Sequence, residues 1–552
     1  MRRHFFRINM RRSALLLLSV TILSSTVESQ RARPAPGTSS DIDAYVARVL
    51  RTFMAPGMAV TVVRDGKVRI ARGYGVQRVG DTASITPDTR FGLGENSRAF
   101  TATAITMLAD RGTLPIDTPI VRYLPEFALS DPYVTANITA RDLLVQRSGL
   151  GVNAGDLLWW PATTYSRTDV VRRLRHLPLR TGFRSRYAHE NVLYIVAGTL
   201  IEAVTQKSWE QVISETLLKK LGMNNTSVRH SDATRVGNIA GPHTLIDGRP
   251  GLTLGIDADA ANPNSGISST ASDMAKWMIA HLNNGRSIDS VQVWRGWSQL
   301  QLWTGVTPMP TMSEFDLDMM RQLEFPDAYF AIQPQFRSYA PGAEVRDYRG
   351  TRVIWQDGLI PGYASTVVYV PSLKLGISVL TNVDERDAAH AVTQRVLDEH
   401  LGVGSTDWAS ILDDMRKTLI AKTAELRKEM PESMLQLDSA LRDTSSKPSL
   451  PIWKYAGRYE DAWYGTVTID ISEDYKLSLR MGATPGMIGD VVHWEKDVFM
   501  VRWRDRSLKA DTFIWFDFNR RGEIEGARME SVDSDVRPSF DYADLRLIRR
   551  PF

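Results

Sequence analysis

Phe91-Gly92-Leu93-Gly94-Glu95-Asn96-Ser97-Arg98-Ala99-Phe100-Thr101 is the stretch on which the reading of this chain turns. The Gly-x-Gly segment runs directly into a helical pattern, Ser97–Arg111. Glu95 and Arg98 stand three apart at the start of that helix, a spacing that suits an ordinary ion pair, with the acid favourably near the helix N-terminus. Ser97 lies two positions beyond Glu95, about 200° around a helix, and so points away from whatever Glu95 faces.

Outward from this stretch, further helical patterns run over Ala140–Gln146, Arg167–Arg175, Val192–Val204, Trp209–Leu221 and Ala271–Leu282. Upstream, a helix-like run from Asp41 to Thr52 precedes Met58–Val63 and Val68–Ala71, alternating segments that read as a hairpin turned at Asp65-Gly66. Strand patterns return near 353–382. The expectation is an α+β domain: one antiparallel sheet assembled from both ends of the domain, with the helical middle packed against it. Tryptophans cluster around Leu157–Pro161 and Trp294–Trp303, readable as a rim over a ligand cleft or as ordinary loop packing.

A chain of 552 residues, 43% apolar and 24% charged, exceeds what one hydrophobic core usually organises. Arg11-Arg12, the apolar run Ala14–Leu23 and small residues near Ser29 read as a cleaved export signal, 1–29, and a Pro/Gly/Ser-rich leader follows over 30–40. Serines and threonines break that apolar run, so no stable membrane anchor is expected after cleavage, and the protein is expected to be periplasmic or secreted. Residues 1–29 carry five arginines and one glutamate, a net of +4 equal to the whole-chain figure, which leaves the processed protein near neutral. The basic isoelectric point is therefore no argument for a nucleic-acid partner. With no cysteine, disulfides and thiolate metal sites are excluded. The first domain is expected over 41–402 and a charged helical linker over 403–451. Short alternating runs over 452–552 predict a small all-β barrel or curved sheet.

Several segments, in order, carry a family resemblance: Gly92–Thr101; Gly112–Ile120; Tyr123–Phe127; Ile138–Leu144 with Ser148-Gly149-Leu150; Leu221-Gly222-Met223; Ser265–Ala275; and Pro361-Gly362-Tyr363 running to Asn382. Together they resemble the serine β-lactamase and penicillin-binding-protein family, which also contains esterases and D-aminopeptidases. The tail, with Tyr455–Tyr459 and Arg502–Leu508, resembles an uncharacterised β domain often appended to that family. The resemblance implies a site in the groove between helices and sheet, using S-x-x-K, Y-x-N and H-x-G or K-T-G motifs. In the register it sets, Glu95 falls at the serine position, Arg98 at the lysine, His189 at the tyrosine and Gln356 at the sheet-edge histidine or lysine, whereas Asn191 and Gly358 keep the family residue.

A carboxylate at 95 does not support a stable acyl-enzyme, and arginine is too weak an acid to act as a base at neutral pH. His189 titrates in a usable range, and Gln356 hydrogen-bonds without charge. The candidates are Glu95 and His189 for acid/base work, Arg98 for holding an anion, and Asn191, Gln356, Asp357 and Gly358 for binding. Glu95, His189 and Asp357 could together form a zinc set, but no local ligand spacing supports it, and neither a metal nor a cofactor is expected. Three readings stay open: changed chemistry or binding of a peptide-like or amide/ester small molecule, a non-catalytic binding scaffold, and residual peptide or ester hydrolysis.

Overall fold

The computed structural model describes residues 39–233, 237–246, 248–253, 255, 258–404, 406–429, 445–532 and 540–551. The expected signal, nearly all of the leader and part of the linker lie outside them. Helix α1 (Ser39–Thr52) leads into strands β1 (Gly57–Arg64) and β2 (Lys67–Gly75). Asp65 and Gly66 both take positive φ, 53° and 71°, the conformation a tight two-residue hairpin needs. The sheet then waits for the far end of the domain, where β3 (Thr307–Pro308), β4 (Arg337–Ala340), β5 (Ala343–Tyr348), β6 (Thr351–Ile360), β7 (Tyr363–Val370) and β8 (Leu375–Thr381) complete it. Its order is β2-β1-β8-β7-β6-β5-β4-β3, so β1 and β8 zip the two ends of the domain together from Met58↔Thr381 to Arg64↔Leu375.

Period-two alternation explains why this sheet is buried on both faces. Along β1, Ala59 and Val63 enter one core, and Met58, Val60 and Val62 enter the other. The second core is closed by α1, α5 (Arg386–Leu401) and α6 (Trp408–Glu429) through Val46, Phe53, Ala388, Val392 and Trp408. The first is closed by α2 (Ser97–Asp110), α3 (Val192–Thr205) and α4 (Ala271–Leu282). The sequence reading has no counterpart for the hairpin of β4 and β5, although Pro341-Gly342 turns it, and Gly342 sits at φ 84°. Among the described residues no helix is long and apolar enough to cross a membrane.

Strands β9 (Gly457–Asp461), β10 (Gly465–Ile471), β11 (Leu477–Met481), β12 (Ile488–Glu495), β13 (Val498–Trp503), β14 (Thr512–Phe518), β15 (Ile524–Ser531) and β16 (Leu547–Arg550) form a closed barrel. It docks on the loops between α2 and α3 and shares their apolar core. The Arg173 guanidinium donates to the Trp463 carbonyl at 2.9 Å, the Thr164 N–H to the Ala483 carbonyl at 2.8 Å, and Trp160 packs on Phe540 with ring centroids 4.7 Å apart. Trp159, Trp160 and Trp294 are buried in packing, whereas Trp297 is exposed and Trp160 and Trp303 each border a cavity, so the clusters serve in both ways.

Candidate functional site

Strand β6 pairs with β5 only through Thr351–Trp355, which leaves Gln356–Ile360 open on that side. The 3-10 turn Gly94–Asn96 that starts α2 presses against this open half. Only glycine fits on either side of the contact. A Cβ at Gly94 would lie 2.9 Å from the Leu359 nitrogen, and one at Gly358 would lie 2.0 Å from the Leu93 carbonyl oxygen. At this junction the Leu359 N–H donates to Glu95 Oε2 at 2.7 Å. Gln356 donates from Nε2 to the carbonyl of Asp357 at 2.6 Å.

Arg98 goes the other way. Its side chain is wholly shielded from solvent, with 0% exposure. It donates from Nε to Asn264 Oδ1 at 2.8 Å, from Nη2 to Asn191 Oδ1 at 2.5 Å and from Nη1 to the Tyr339 hydroxyl at 3.4 Å. All three acceptors are neutral, so the ion pair with Glu95 that the spacing allowed does not form. The reason is directional: Glu95 is drawn to a backbone amide on the sheet while the longer arginine reaches the amides of Asn191, at the start of α3, and of Asn264. Arg98 is thus not placed to hold a ligand anion. Asn191 also bonds a buried acid, its Nδ2 donating to Asp156 Oδ2 at 2.8 Å. Asp156 is itself buried, accepts the Trp159 indole N–H at 3.0 Å, and receives Asp541 of the barrel on its backbone N–H at 2.9 Å.

His189 is half-buried, with Nδ1 3.0 Å from Asn153 Oδ1. An amide oxygen can only accept, so Nδ1 carries the proton and Nε2 keeps its lone pair. Burial, reinforced by the positive charges of Arg98 and Arg386, holds the imidazole well below its ordinary range, so it is a neutral acceptor near pH 7. Asp357 faces the sheet's other side, away from Gln356, as alternation along a strand requires. Its Oδ1 meets His390 Nε2 at 3.0 Å and the Thr366 hydroxyl at 2.8 Å. Burial opposes its charge, yet His390, Arg386 and Thr366 hold its carboxyl well below the usual range. The zinc set of Glu95, His189 and Asp357 is therefore not assembled, and no cluster of three such donors occurs among the described residues. Ser97 is buried and accepts the Ile267 N–H at 3.0 Å, in keeping with its rotation away from Glu95.

Residues 46–402 match the family described as Beta-lactamase. The chain belongs to that family. Residues 441–549 match a second family, described as Domain of unknown function (DUF3471). Over 457 residues the chain is 28% identical to a protein named Unguisins hydrolase ungD' from Aspergillus campestris (strain IBT 28561), covering 79% of this chain and 78% of that one. It is 26% identical over 253 residues to Protein flp of Staphylococcus aureus (strain MW2), covering 45% of this chain and 49% of that one. Among solved structures, the octameric penicillin-binding protein homologue from Pyrococcus abyssi superposes with a TM-score of 0.56 at 17% identity, covering 93% of this chain and 100% of that chain. That likeness establishes the fold.

Within this β-lactamase-family groove, the residues that sequence reasoning passed over are those held by tertiary contact. Tyr339, Asn264 and Asn153 lie far along the chain from the partners they serve, and nothing local in their surroundings marks them. Glu190 could have been noticed, because it interrupts His189 and Asn191. It is buried, accepts from the Ser148 hydroxyl at 2.8 Å, and burial pushes its carboxyl well above the ordinary range.

Proposed function

We propose that this protein is an exported member of the β-lactamase family whose groove holds a peptide-like or amide/ester small molecule without passing through an acyl-serine intermediate. The observation that carries the reading is the bond from the Leu359 N–H to Glu95 Oε2 at 2.7 Å. At the mouth of the helix where the resemblance calls for a hydroxyl, the chain presents a carboxylate, and the position one turn on holds a buried guanidinium that cannot accept a proton. The Leu359 N–H is the kind of fixed donor that could stabilise an oxyanion, and here it carries an internal negative charge instead. Export is supported by Arg11-Arg12 and the apolar run Ala14–Leu23.

The neutral Nε2 of His189 supports acid/base work: water attacking an amide or ester carbon would give its proton to this nitrogen. The Aspergillus relative is named a hydrolase, which favours turnover over binding alone. Incubation of the purified protein with a fluorescent penicillin and with a fluorophosphonate tests the reading. Neither reagent is expected to label the chain, and stoichiometric labelling mapped to any serine would sink it.

A further inference from the structure

We infer that Glu95 and Gln356 are specificity-determining residues: each occupies, from within the chain, a backbone group on the open edge of β6, so the native groove refuses extended peptides and takes compact ligands held by side chains. This rests on the preceding reading that the groove binds an amide-bearing ligand. In a strand, the N–H and C=O of one residue leave by the same edge, and alternate residues share it. The Leu359 N–H leaves toward Glu95 rather than toward β7, so the backbone groups of Asp357 leave by that edge too. β5 ends its pairing at Glu344↔Trp355 and covers neither residue.

A strand edge with no strand paired to it is a template on which another extended chain adds by main-chain hydrogen bonds, and here it is the Gly94–Asn96 turn that abuts it. Here the donor of Leu359 is taken by the Glu95 carboxylate at 2.7 Å and the acceptor of Asp357 by the Gln356 amide at 2.6 Å. The first is a charge-assisted bond, stronger than the neutral amide pairing an incoming peptide would offer in its place. Gly94 and Gly358 lock the geometry, because the turn can press on the strand only where neither side carries a Cβ. A peptide must therefore displace the Glu95 carboxylate to reach the Leu359 N–H and crowd past the Gln356 amide to share the Asp357 carbonyl, which keeps a second lone pair, whereas a ligand contacted by His189 and other side chains need do neither.

The test uses the full-length chain as wild type and as Glu95→Ala, Gln356→Ala and the double variant. Binding of a fluorescein-labelled tetra-alanine amide is followed by anisotropy, and amide exchange over 357–360 by mass spectrometry. Wild type is expected to show no saturable binding below about 1 mM, and the double variant to bind at least about ten-fold more tightly. Exchange at Leu359 should quicken about ten-fold in Glu95→Ala, the factor expected for loss of one hydrogen bond, and acetate should restore protection there by refilling the vacated position. If Glu95→Ala folds poorly, Glu95→Asp, one methylene shorter, should show the same quickening, whereas Glu95→Gln should stay protected. Peptide binding to wild type equal to that of the double variant overturns the inference, as does unchanged exchange at Leu359 or no gain of binding in a folded double variant. Each of these results leaves the penicillin-labelling outcome untouched, so the failure of this inference and of the non-serine reading can be told apart.

Discussion

A guanidinium with no solvent contact must have its charge met inside the fold, and Arg98 is met by three neutral acceptors, with the charge of Glu95 acting on it without a direct bond. Asn191 accepts from Arg98 with its oxygen and donates to Asp156 with its nitrogen, so a buried cation and a buried carboxylate are joined without touching. Removing the amide takes one acceptor from Arg98, which keeps Asn264 and Tyr339, and one donor from Asp156, which keeps the Trp159 indole. Asn191→Ala is expected to lower stability by about 2 kcal/mol, the scale for losing hydrogen bonds to charged groups, read from denaturant melts. Arg98→Lys should also destabilise, because a single ammonium cannot reach the divergent acceptors on Asn264, Asn191 and Tyr339. A loss below about 0.5 kcal/mol for Asn191→Ala, the size of an ordinary surface change, would show that water or another group takes over the link.

At the scale of elements, what could be read from the sequence divides along the range of the interactions involved. The hairpin at Asp65-Gly66, helix α4 and the barrel strand β13 all announce themselves through local signals: turn residues, periodicity, alternation. The β4–β5 hairpin escaped because β4 is only Arg337–Ala340, too short to alternate convincingly, and β5 carries Glu344, Arg346 and Asp347 among its apolar positions. For the site, the register placed Glu95, Arg98, His189 and Gln356, but not where each side chain would point. For Glu95 and Arg98 that outcome was decided by partners hundreds of residues away, Leu359 and Tyr339, whereas His189 turns to Asn153 and Gln356 to the carbonyl of its neighbour Asp357. The contact between the Gly94–Asn96 turn and β6 gives an element-level test. Gly358→Ala puts a Cβ 2.0 Å from the Leu93 carbonyl oxygen, and because that oxygen is backbone, the turn and strand must separate. The expected cost is about 3 kcal/mol, at the upper end for overpacking, in the same denaturant melts, together with faster amide exchange at Leu359. A Gly358→Ala protein of wild-type stability would mean the two elements are not held in register by this contact.

At the scale of the whole molecule, the barrel is bound to the β-lactamase-family domain through an arrangement that works against itself as pH rises. Asp541, at the barrel's end, is buried against Asp156 and accepts its backbone N–H at 2.9 Å, with Asp544 close by in an ion pair with Arg180. The groups around it are thus two acids, one outlying cation, and the neutral Asn191 and Trp159 on Asp156. Burial, with the carboxylates of Asp156 and Asp544, pushes the Asp541 carboxyl well above its ordinary value. The unfolded chain releases this proton near pH 3.9, whereas the folded chain keeps it, so the folded state binds more protons above that pH and stability falls as pH rises toward the folded pKa. Asp541→Asn removes the ionisation and keeps an oxygen for the Asp156 N–H. Thermal melts between about pH 4 and pH 8 should show wild type losing stability with rising pH, and the variant losing less and melting higher at pH 7. Near pH 3, where the acid is protonated in both states, the two proteins should converge. Parallel curves across the whole range would place the barrel's hold elsewhere, on the Arg173–Trp463 and Thr164–Ala483 bonds and the Trp160–Phe540 contact, none of which titrates in this window.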